Sequence, residues 1–191
     1  LGRVGTTTRV SWLIAGIGAL TGPLPDEQKT EKHDERPSAK PAPKVGGIFI
    51  NYRREDSISA AGRLHDRLAQ TFGTHTIFMD ISDIPVGADI AEYIRKEVAR
   101  RDVFLVIIGP KWLKDKRLHQ PDDFVAIEIA AALFQDIRVI PVLVNGARMP
   151  KESELPFVLK ALARIQAVEV RDTHFNPDAC ALIGSIRGAG L

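Results

Sequence analysis

From about Val45 onward the sequence predicts an α/β domain: a flavodoxin-like, doubly wound, five-stranded parallel sheet with helices on both faces. Two observations predict it. Apolar runs of strand length alternate with segments of helical periodicity along the whole stretch, which implies right-handed crossovers between parallel strands. One of those runs, Val103–Ile108, is apolar without a break, as a strand covered on both faces must be.

The elements follow in order. Residues 47–50 read as a short buried strand. Residues 59–72 place Ala61, Leu64, Leu68 and Phe72 at helical spacing, and residues 76–79 form a second strand. Ile90, Ile94 and Val98 repeat the helical period, and Val103–Ile108 is the third strand. Residues 124–133 form a strongly apolar helix. Residues 139–144 are a fourth strand, although Pro141 removes one amide donor. A short helix over 155–163, a weak last strand over 165–168 and a helix over 177–187 complete the pattern. Ligands of such sheets bind in the loops at the carboxyl ends of the strands, which here begin at Asn51, Asp80, Gly109 and Asn145.

Two zones precede this domain. Residues 1–25 contain an apolar run at 10–20, after Arg3 and Arg9, that has about half of the roughly 20 residues a spanning helix needs. It reads as the tail of a membrane span, as a signal-like core without a clean cleavage site, or as a short surface or disordered segment. The chain begins with Leu1 rather than Met, the expectation for an incomplete or processed product. Residues 26–44 are rich in Lys, Glu, Asp and Pro and hold almost no apolar side chain, so they read as a linker.

Composition narrows the function classes. With 45% hydrophobic residues and a net charge of +2, the chain is ordinary globular material and gives no reason to expect nucleic acid as a partner. Cys180 is the only cysteine, which excludes an internal disulfide and a zinc-type cluster. That fits a reducing cytoplasm, with membrane attachment if residues 10–20 belong to a span. No metal site is expected. There is no Gly-x-Gly-x-x-Gly after the first strand and no Gly-Lys-Ser/Thr loop, so neither a dinucleotide cradle nor a P-loop is present. A phosphoacceptor receiver needs carboxylates after its first strand, where this chain has Asn51, Tyr52, Arg53 and Arg54. His33, His65, His75, His119 and His174 are scattered and read as surface or loop residues.

Four segments carry a family resemblance. They are Ile48-Phe-Ile-Asn-Tyr-Arg-Arg-Glu-Asp-Ser57, Ile77-Phe-Met-Asp-Ile-Ser-Asp-Ile-Pro-Val-Gly87, Val103-Phe-Leu-Val-Ile-Ile-Gly-Pro-Lys-Trp-Leu113 and Phe124-Val-Ala-Ile-Glu-Ile-Ala-Ala-Ala-Leu133. In this order and spacing they resemble the Toll/interleukin-1 receptor (TIR) domain, in its bacterial NAD⁺-cleaving form, over about residues 46–170. The resemblance implies cleavage of the nicotinamide–ribose bond of NAD⁺, which is substrate rather than cofactor, and makes Glu128 the catalytic glutamate by position. It also implies activation by self-association with other TIR domains through the loop 80–88, shaped by Pro85 and Gly87. The alternative is a non-catalytic TIR–TIR interaction module in which Glu128 is structural; the plainer reading of the loop itself is an exposed turn shaped by Pro85 and Gly87.

The chemistry agrees with a single carboxylate. Nicotinamide leaves from a cationic pyridinium as a neutral base, so no general acid is needed, unlike an ordinary glycosidase. One carboxylate can hold the ribose hydroxyls and stabilise the oxocarbenium-like transition state. Phe124, four residues before Glu128, shares its helix face and offers a ring for packing. The family often has Trp there, and Phe lacks the indole donor. Arg53 and Arg54, with Tyr52 beside them, leave the first strand where guanidinium groups can hold a pyrophosphate. The plainer readings are an ion pair of Glu128 with Arg53 or Lys111, and a solvated loop or structural pair for the two arginines. Trp112 reads as packing.

Overall fold

In a computed structural model the described residues are 46–79, 86–114 and 116–188. The apolar run at 10–20, the linker at 26–44 and most of the loop 80–88 lie outside them. β1 (Ile48–Asn51), α1 (Arg54–Phe72), β2 (Ile77–Met79), α2 (Ile90–Ala99), β3 (Val103–Ile108), α3 (Phe124–Phe134), β4 (Arg138–Val144), β5 (Val168–Val170) and α4 (Phe175–Arg187) follow one another. The five strands lie in the order β2-β1-β3-β4-β5, every neighbouring pair parallel. This is the doubly wound arrangement expected. The chain reverses its direction of travel across the sheet between β1 and β3, and that crevice is where such folds bind ligands.

Alternation along the strands sorts side chains into two cores. Ile48, Ile50, Val103, Leu105 and Ile107 face Leu64 and Leu68 of α1 and Leu182 and Ile186 of α4. Phe49, Phe104, Val106 and Ile108 face Ile94 and Val98 of α2 and Ile129 and Ala132 of α3. The rings of Phe49 and Phe104 stack across the β1–β3 pair, with centroids 5.0 Å apart. β3 is buried along its whole length, which is why its sequence shows no alternation.

Three elements depart from the sequence reading. α1 begins at Arg54, five residues before the periodic segment, with Glu55 and Asp56 in its first turn complementing the helix dipole. It carries a local break at Ser57. The helix expected at 155–163 is a 3₁₀ helix, Phe157–Arg164, entered through Pro156. The last strand is Val168–Val170 rather than 165–168. The Ile165 amide still closes on the Leu162 carbonyl at 3.1 Å, and pairing to β4 begins only where Val168 meets Val142. Pro141 is tolerated in β4 because β5 pairs only from Val142 onward, leaving that side of the strand an open edge at the proline.

Gly47 leads into β1 with φ +118°, and a Cβ there would stand 2.6 Å from the Thr76 carbonyl oxygen and 2.9 Å from the Phe78 ring. Both the left-handed backbone and the backbone neighbour disfavour any side chain. Gly47→Ala is expected to cost about 2 kcal/mol or more in urea unfolding. At the other end of the sheet, Arg171 donates from its backbone amide and its guanidinium to Asp178 in the first turn of α4. These bonds lower the Asp178 pKa to about 2, below the ordinary carboxylate range. A depressed folded-state pKa gives stability that is present above the unfolded value and lost as pH falls through the folded one. The stability gap between wild type and Asp178→Asn, open near about pH 6, should therefore close between about pH 4 and about pH 2 in pH-dependent unfolding.

Candidate functional site

α3 starts where Asp123 stops the chain in extended conformation and caps it. The Asp123 Oδ1 accepts the Ala126 amide at 2.8 Å. Its other oxygen, Oδ2, accepts Arg53 Nη2 at 2.8 Å, and the two side chains are 3% and 4% exposed. Arg53 stands at the head of α1, where its carbonyl accepts the amides of Asp56 and Ser57. One buried ion pair thus ties the beginnings of α1 and α3 together beside the carboxyl end of β1.

Glu128 lies one turn into α3. It is the only charged residue of a helix that is apolar on nearly every face, and it is 8% exposed. Its Oε2 accepts a hydrogen bond of 2.7 Å from Asn51 Nδ2, which also reaches the Val125 carbonyl at 3.3 Å. Asn51 ends β1 and pairs in register with Val106 of β3, so the carboxylate sits at the β1–β3 reversal. Two shallow clefts open next to it. One of about 230 Å³ is lined by Tyr52, Arg53, Arg54, Glu55, Arg117 and Val125. The other, about 280 Å³, is lined by Phe124 and Val125 with Arg53, Arg117, Gln120, Asp122 and Asp123.

The structure brings Tyr52, Arg53, Arg54 and Phe124 to this crevice and gives them unlike settings. Arg53 is committed to Asp123, the structural-pair reading, while still bordering both clefts. Arg54 is exposed. Tyr52 is half-buried and packs on the α1–α4 core. Phe124 is 50% exposed on the rim. Glu128 lines neither of these two clefts; it is buried, and its carboxylate accepts from Asn51. The Lys111 amide serves Asp56 of α1, at 2.9 Å. Trp112 is fully buried among the α2–α3 core residues, as a packing residue should be.

Asn51, Asp123 and Arg117 belong to the site without having been singled out as functional. Asp123 had a signal, since an Asp directly before an apolar helical run is a capping signature. Arg117 had none beyond its charge. It faces the crevice and pairs with Glu55 at 3.2 Å, on the surface. Among the described residues no group of His, Cys, Asp and Glu side chains could hold a metal ion, and no helix is long and apolar enough to cross a membrane.

The sequence profile of the TIR domain family matches residues 48–183, most of the chain. The chain belongs to the TIR domain family. Solved TIR structures agree at the level of fold. The TIR domains of the activated Roq1 resistosome, which directly recognises the pathogen effector XopQ, superpose with a TM-score of 0.53 at 14% identity, over 73% of this chain and 98% of that one. A metazoan TIR-STING receptor from C. gigas in complex with 2',3'-cGAMP gives 0.53 at 18% identity, over 76% of this chain and 40% of the receptor. Within this TIR domain Asp123 has two duties that substitution can separate. Asp123→Asn keeps a capping oxygen and loses the charge, whereas Asp123→Ala loses both. Urea unfolding should find Asp123→Ala destabilised by about 3–5 kcal/mol and Asp123→Asn by about 1 kcal/mol less.

Proposed function

We propose that this TIR domain is an NAD⁺ nucleosidase of the bacterial type, cleaving the nicotinamide–ribose bond, with Glu128 as its catalytic carboxylate. The observation that carries the reading is the place of that carboxylate. It is the single charge of α3, brought to the carboxyl end of β1 at the sheet's reversal and hydrogen-bonded there by Asn51. A negative group in so dry a setting acts strongly on a positive charge forming beside it. As the glycosidic bond breaks, its electron pair returns to the pyridinium nitrogen and nicotinamide departs neutral. The carboxylate steadies the ribosyl cation, and water adds at the anomeric carbon and releases a proton. The products are nicotinamide and ADP-ribose, or a cyclic isomer where a nitrogen of the adenine attacks instead. Phe124 packs against the ribose or a flat ring, and Tyr52, Arg54 and Arg117 border the space for the pyrophosphate. Arg53 contributes by holding α1 to α3.

Glu128 is mostly covered in a single copy, which favours activation by self-association. Of the loop 80–88, Val86 and Gly87 are exposed at its described end. The activated Roq1 resistosome, whose TIR domains share this fold, is consistent with the same habit here.

A second reading rests on a different surface. An apolar groove of about 540 Å³ lies between α2, α3 and the Phe157–Arg164 helix, with Phe134 on its wall and 89% exposed. That is a surface for a partner and needs no catalysis; on this reading the domain is an adaptor.

The two readings separate in one assay. Nicotinamide release from NAD⁺ should rise more steeply than linearly with protein concentration, and Glu128→Gln should lower it by about 100-fold or more. Release undiminished in Glu128→Gln sinks the enzymatic reading. No release under crowding, with association abolished by Phe134→Asp, supports the adaptor.

A further inference from the structure

Asn51 holds the Glu128 carboxylate from the end of β1, and its setting is costly. It is 1% exposed, its backbone is fixed in β1 opposite Val106, and its two amide hydrogens are taken by Glu128 Oε2 and the Val125 carbonyl. The amide orientation follows from these contacts, because the flipped form would set a carbonyl oxygen against a carboxylate. What remains is Oδ1, which is buried and accepts no hydrogen bond. Leaving a buried acceptor unsatisfied works against folding. A side chain selected only to finish β1 would avoid that loss by being apolar.

We propose that Asn51 is the positioning residue for Glu128, holding one carboxylate oxygen so that the group has a single orientation at the crevice. The role rests on the reading of this chain as an NAD⁺ nucleosidase. Two features support it. The amide donor is neutral, so it orients the carboxylate without cancelling the charge that the ribosyl cation needs. The contact spans strand and helix: Val125 and Glu128 are three apart on one face of α3, and Asn51 engages both, so the helix rotation and the side-chain rotamer are set from the same point.

The test uses the full chain, with steady-state nicotinamide release and thermal melting on each variant. Asn51→Asp keeps the shape and exchanges donor for acceptor. Asn51→Leu keeps the size and removes both polar atoms. Asn51→Ser restores a donor on a shorter stem. Loss of orientation should lower kcat by about 100-fold in the Asp and Leu variants, with KM within about threefold of wild type, and Ser should recover about tenfold of that loss. If repulsion between two carboxylates unfolds Asn51→Asp, the Leu and Ser pair carries the comparison. A folded Asn51→Leu with wild-type kcat overturns the role, as does a loss confined to KM or a Ser variant no better than Leu. A chain in which Glu128→Gln is inactive while Asn51→Leu is fully active loses only the Asn51 proposal. A wild type that releases no nicotinamide at any concentration loses the enzymatic reading and this role with it.

Discussion

The strand in the middle of the sheet is dry on both faces, and the rest of the molecule is arranged to keep it so. All six side chains of β3 are buried, three against α1 and α4 and three against α2 and α3. A strand of this kind needs a helical layer above and below. A chain that supplies both layers with right-handed crossovers must reverse its march across the sheet. The reversal falls between β1 and β3, and there the loops after the two strands diverge. The crevice is thus a by-product of how the core is covered, and its chemistry is whatever side chains the adjoining ends carry.

Those side chains form two polar links of different kinds. Arg53 and Asp123 are a charged pair at the heads of two helices. Breaking such a pair takes a counter-charge away from a buried guanidinium, so it holds the helix starts in register even though an apolar pair of similar volume could be equally stable. Asn51 and Glu128 are a neutral donor and an acceptor, one on the strand and one on the helix. The first link fixes where α3 begins. The second fixes where the carboxylate of α3 points. Both end on residues 51–53, so a three-residue stretch of the chain governs the geometry of a helix more than 70 residues away.

Much of this was legible in the sequence, and the exceptions have physical causes. β3 and α2 have the bounds their patterns predict, because an unbroken apolar run and a clean helical period each admit one reading. Glu128 stood out as a charge on an otherwise apolar helix, and the family resemblance pointed to the same residue. Asn51 and Asp123 did not stand out as site residues, since their partners lie 77 and 70 residues away and no local pattern records a contact of that range. Arg53 and Arg54 are alike as letters, yet one is buried in an ion pair and the other exposed, a difference set by the direction in which α1 leaves the strand. β5 was misplaced by three residues because its start is decided by register with β4, while its own apolar residues would serve either way.

The outer strands of the sheet, β2 and β5, have only three residues each. A neighbouring molecule that tried to extend the sheet from either side would gain three rungs of backbone pairing at most, too few to hold two chains together. Edge-to-edge pairing between folded copies is therefore weak along these described strands, and helix and loop surfaces are left as the broader faces for contact.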